Sequence, residues 1–159
     1  MRRETTIFSS ASFDDAQFRL HGRTRVHLDG RVLHVQAWGP FNLELVQAQS
    51  RLLRSQIGPN LPPDGQFFEL ISYFDSILMP EDAWACLYGM VDAAVAKGVK
   101  ALGTVVCIGD EVEGSSFFAD RLVATWGRSR PALRARNPAQ AQALLAQLQA
   151  GAPPLPELE

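Results

Sequence analysis

The sequence predicts an α/β fold: a mixed, mostly parallel β-sheet, opened by an antiparallel hairpin and carrying about four helices. Three observations lead there. Asp29-Gly30 separates two alternating segments, as a hairpin turn does. The runs QFFELISYF and ALGTVVCIG are apolar without clean alternation, which suits strands covered on both faces. Helical patterns alternate with those runs, implying right-handed βαβ units.

In chain order, the first element is the hairpin in FRLHGRTRVHLDGRVLHVQAWG. A turn at Asp29-Gly30 pairs Leu28 with Arg31 and His27 with Val32, with Val26, Leu28, Leu33, Val35 and Ala37 on one face. Arg23, Arg25, His27, His34 and Gln36 take the other face, the two histidines as a diagonal pair. A helix follows, capped by Asn42, ended in a left-handed turn by Gly58, with Leu43, Val46, Leu53 and Ile57 on one face. LPPDG is a surface turn. After QFFELISYF, a helix over residues 80–97 has Pro80 at its first position and Glu81 and Asp82 in its first turn, where carboxylates meet the positive dipole end. Its core stripe is Trp84, Leu87, Val91 and Val95. ALGTVVCIG precedes a third helix ending at Gly127. RPALRAR reads as a short edge strand, and Asn137-Pro138 opens the last helix.

Composition bounds the rest. With 159 residues, 47% hydrophobic and 20% charged, the chain suits one domain, over residues 17–150, with an N-terminal extension at 1–16 and a Pro-rich tail at 151–159. A formal charge of -2 gives no global field for nucleic acid or an anionic membrane. Cys86 and Cys107 sit in apolar segments and read as buried free thiols. No signal-type apolar run and no stretch able to span a membrane is present, so a soluble cytoplasmic protein is expected.

The stretches GPFNLELVQAQSRLLR, FFELISYFDSILMPEDAWACL, GVKALGTVVCIGD and NPAQAQALLAQL together resemble the STAS-like domain, the fold of bacterial anti-sigma factor antagonists. The closer resemblance is to small stand-alone bacterial members. Antagonists of that family carry Asp-Ser, then Ser or Thr, then Gly at a helix start. Here Asp75-Ser76 is followed by Ile77, Leu78 and Met79, and the alignment that the resemblance implies puts the phosphoacceptor position near Leu78, which has no hydroxyl. Ser76 is the remaining phosphoacceptor candidate. A phosphate there would stand among Asp75, Glu81 and Asp82, whose charges oppose it. An ordinary loop is the competing reading.

Ligands in such sheets sit beyond the carboxyl ends of the parallel strands. The loops expected there supply a rim of Asn42, Asp75, Ser76, Asp110, Glu111, Glu113, Ser115 and Ser116. Its carboxylates suit a divalent cation only loosely, since the spacing matches no metal loop, and a solvated rim or a docking surface for a basic partner are the alternatives. His27 and His34 lack a third ligand, so no metal site is expected. Arg121, Arg128, Arg130, Arg134 and Arg136 read as solvated edge charges, with a small anion as alternative. Of aromatics able to stack on bases only Trp126 is near, so nucleic-acid binding is not expected.

No nucleophile elbow, Walker loop or dinucleotide turn occurs. The expected function is therefore a non-catalytic regulatory or protein-interaction module acting through a partner protein or as a homodimer, with no cofactor. The small stripe Ala85, Gly89, Asp92 and Ala96 on the second helix is its candidate interface. The alternative is a binder of a small ligand, such as a nucleotide, lipid or anion, at the strand-end rim or between helices.

Overall fold

The computed structural model of the chain describes residues 5–13 and 21–151. The first strand, β1 (Phe8–Ser9), lies in the stretch read from sequence as an extension, and a 3₁₀ turn, Ser10–Phe13, follows it. Then come β2 (Arg23–Asp29), β3 (Val32–Trp38), α1 (Leu43–Leu52), β4 (Gln66–Phe74), α2 (Glu81–Ala96), β5 (Lys100–Ile108), α3 (Ser115–Trp126), β6 (Ala132–Ala135) and α4 (Pro138–Gly151). The predicted tail and the start of the predicted domain, residues 152–159 and 17–20, lie outside the described residues.

All six strands form one sheet whose spatial order equals their order in sequence. β1, β2 and β3 run antiparallel, and β3 through β6 run parallel. The predicted fold class is the observed one. Each crossover steps one strand in the same direction, and right-handed crossovers of that kind put their helices on one face. The cores agree. On the front, Leu45 and Leu52 of α1, Trp84 and Leu87 of α2 and Leu122 of α3 meet Val35, Ile71 and Val106 of the sheet. On the back, Ala141 and Leu145 of α4 meet Phe68, Leu70, Val105 and Cys107.

Three local expectations are corrected. The hairpin loop is Gly30-Arg31, so Asp29 opposes Val32, Leu28 opposes Leu33, and His27 stands directly opposite His34. Pairing Leu28 with Leu33 keeps core residues together, whereas Leu28 beside Arg31 would set an apolar side chain against a charge. Gly30 takes the positive φ (57°) of the tight turn, and Arg31 instead reaches Asp64 Oδ1 at 2.6 Å and the Gln66 carbonyl at 3.1 Å.

Secondly, Gly58 is right-handed (φ -49°) and does not end the first helix. After Leu52 the helix widens into a π turn, Leu53–Ile57, and closes in a 3₁₀ turn, Gly58–Asn60. The wider turn, closed by an i→i+5 hydrogen bond from Gly58 N to the Leu53 carbonyl, turns Ile57 toward the core, where it is 2% exposed. Thirdly, Trp84, Leu87 and Val91 form the stripe of α2, but Val95 is 51% exposed, because the last turn of α2 overhangs open space. Asn42 caps α1 as expected, its Oδ1 accepting from Leu45 N; Pro80 caps α2 instead of starting it.

Candidate functional site

The predicted rim forms at the carboxyl ends of β4 and β5, and it is closed upon itself. Ser76 Oγ donates to Glu113 Oε1 at 2.9 Å and accepts from Leu78 N at 3.2 Å. Glu113 N donates to the Asp75 carbonyl, and Ile77 N to the Glu113 carbonyl, both at 2.9 Å. Asp75 adopts φ 65°, a conformation Asp tolerates through its short polar side chain. Ser115, buried, donates to the Asp110 carbonyl at 3.2 Å. The Asp110 carboxylate pairs with Arg134 and Arg136, while Glu111 and Ser116 are exposed. Asn42 belongs to the same end but spends its side chain on Leu45 and His21. Ser76 is 3% exposed, so its hydroxyl is reached only if these loops part. Among the described residues, no group of three or more His, Cys, Asp or Glu side chains could hold a metal ion.

At the other end of the strands lies a cavity of about 850 Å³. It opens beneath the last turns of α2, facing the π turn. Leu53, Ile57 and Leu61 form one wall, and Met90, Ala94 and Val95 of α2 form the roof. Phe67 and Ala101 of the sheet close the bottom. The π turn matters here, since Leu53 and Arg54 at its start and Ile57 at its end all line this wall. Cys86 also lines the cavity, and burial followed by the Asp82 charge pushes its thiol up from the ordinary value.

One polar cluster enters this apolar surface. Glu69 of β4 and Arg130, just before β6, form an ion pair with both side chains 7% exposed. Thr104 Oγ1 donates to Glu69 Oε1 at 2.8 Å and accepts from Arg130 Nε at 3.0 Å. The Arg130 guanidinium also lies 5.2 Å from the Trp126 ring centroid. Nearby, Trp126 Nε1 donates to the buried Tyr73 hydroxyl at 3.4 Å, and burial pushes that phenol up.

The other four arginines of the predicted edge cluster have structural partners at the surface. Arg121 clasps both Glu81 oxygens and the Tyr88 hydroxyl and covers Trp84, tying α3 to α2; the hydrogen bonds from Arg121 hold the Glu81 carboxyl below its usual range. Arg128 pairs with Asp92 at 2.9 Å. The stripe Ala85, Gly89, Asp92 and Ala96 is exposed along one side of α2. On the back of the sheet, His27 and His34 stack with ring centroids 4.5 Å apart, and burial, then the His27 charge, lowers the His34 pKa.

The cavity and its Glu69–Arg130 pair are the features that reasoning from sequence missed. A signal existed: Glu69 sits inside a run read as fully buried, and a buried carboxylate requires a partner. The sequence pattern places Arg130 among solvated edge charges, and its burial corrects that expectation.

No protein-family model, curated protein or solved structure matches the chain. No helix among the described residues is long and apolar enough to cross a membrane.

Proposed function

We propose that the chain is a non-catalytic binding module of STAS-like type that takes a small, mainly apolar ligand into the cavity beneath α2. The observation that carries this reading is the cavity itself: about 850 Å³, walled by aliphatic side chains, with a few placed polar groups, the usual make-up of a small-molecule site. The strand and helix order supports the STAS-like resemblance, and the self-satisfied rim at the opposite end favours the cavity over the strand-end loops as the binding place. The test is displacement of an environment-sensitive apolar dye from the wild-type chain and from Ala94→Phe, which fills the roof. Saturable binding lost in the variant is expected, and a wild-type chain that takes up no apolar probe ends the proposal. A ligand at a hundred times its Kd should also raise stability by about 2.7 kcal/mol.

A second reading, association with another copy through α2, has its own support. Ala85 and Ala96 are exposed on one stripe, and Phe117 at the start of α3 is 83% exposed. Because Gly89 lines the cavity as well as this stripe, Ala85→Arg is the cleaner probe. A dimer by light scattering that the variant dissolves is the expected outcome, and a wild-type monomer rejects it.

A further inference from the structure

We propose that the ligand of this cavity is a single-chain amphiphile with an anionic head, a long-chain carboxylate, its chain lying under α2 and its head between Arg54 and Lys97. The inference rests on the cavity reading above and deepens it. The charges on the cavity wall argue it. The lining carries three cations, Arg54, Lys97 and Arg130, against one carboxylate, Glu69. Glu69 and Arg130 neutralise each other in a nearly dry pair, which leaves two cations over. Both of these are solvent-exposed, one on the π turn and one at the carboxyl end of α2, so they flank the mouth. Among the described residues neither is ion-paired; Arg54 only donates Nε to the Ser50 carbonyl at 3.4 Å.

An apolar body and an anionic head match that arrangement at once. The body replaces water along Leu53, Ile57, Met90 and Val95, each of which gains from burial. The head meets two cations that have no internal partner, which orients the molecule and selects its sign. A cationic head would be repelled at the mouth, and an uncharged one would leave both basic groups without a counter-charge. A cavity of this volume is of the size that takes one small ligand, and a single alkyl chain with one head meets that size.

The experiment uses the full chain and three probes of equal chain length, each below its micellar concentration: tetradecanoate, its methyl ester and tetradecylammonium. Each competes with the apolar dye. Tetradecanoate is expected to bind about twofold to thirtyfold more tightly than the ester, the range for two exposed charge contacts, and tetradecylammonium most weakly. In Arg54→Glu/Lys97→Glu, the order of carboxylate and ammonium should reverse while the ester binds as before. Ester binding kept in that variant shows that its fold survives. Tetradecanoate should also slow alkylation of Cys86, located by mass spectrometry. Equal affinity for carboxylate and ester, or an unreversed order in the double variant, overturns the anionic head and leaves the apolar cavity standing. Unprotected Cys86 overturns the placement of the chain. Failure of all three probes to bind overturns the proposal together with the cavity reading beneath it.

Discussion

Replacing Arg130 with Met should expose how strongly the cavity wall depends on one buried charge pair. In the wild type, Glu69 is held by Arg130 and Thr104 with its side chain 7% exposed. Removal of the guanidinium leaves a carboxylate with one neutral donor and almost no water. Breaking a buried pair in this way costs about 3–5 kcal/mol. In a domain of this size each kcal/mol is about 2–4 °C, so the midpoint of thermal unfolding should drop by roughly 6–20 °C. The double variant Glu69→Gln/Arg130→Met removes both charges and should recover most of the loss, because an uncharged pair leaves no uncompensated ion. Urea unfolding of the four members of that cycle reads the coupling directly, and it should exceed about 1.5 kcal/mol. Raised salt should leave the coupling unchanged, since buried pairs are screened little. A loss below about 1 kcal/mol for Arg130→Met, or strictly additive effects, would refute the reasoning.

Three more outcomes follow from the geometry. Because the His34 pKa is lowered from 6.5 in the folded chain, the unfolded chain binds more protons in the window beneath that value; stability should be full above about pH 6.5, fall as pH drops through the window and level off below the folded pKa, and His34→Gln should flatten that slope in urea midpoints taken against pH. A Cβ at Gly39 would strike the Ser76 carbonyl oxygen and approach the Phe41 ring to 3.1 Å, so Gly39→Ala should lower stability by about 1–3 kcal/mol or more in the same measurement. Ser76→Ala leaves the Leu78 N–H without its acceptor and should lose about 1–3 kcal/mol by thermal unfolding.

Much of the fold is legible in the sequence because its signals are local. Asn42 announces a helix start through one side-chain hydrogen bond, and the apolar run at Gln66–Phe74 announces a strand flanked on both faces. The hairpin faces are legible too, since alternation alone assigns them, although the turn chemistry misplaced the loop by one residue. The π turn is less accessible. It corrects a phase slip between Leu52 and Ile57 that matters only against the tertiary core. The cavity is least accessible of all, for it exists where α2 outruns its cover, and apolar residues such as Val95 and Met90 look like core residues whether or not something meets them. Of its parts, Glu69 alone stands out in one dimension, as a carboxylate among Phe68, Leu70 and Ile71.

The identity of spatial and sequential strand order has a consequence for biogenesis. Every strand after the first lies beside the one synthesised just before it, so no strand waits for a distant segment before it can pair. Loop-closure entropy is then met in small instalments. A nascent chain can lay down β2 and β3, add β4 under α1, and extend the sheet unit by unit as translation proceeds from the N-terminus. The unpaired edge moves outward with each unit until β6 and then α4, which packs on the back face, finish the sheet. Assembly by accretion keeps exposed strand edges short-lived, and it makes β6 and α4 the seal on a structure largely built before they emerge.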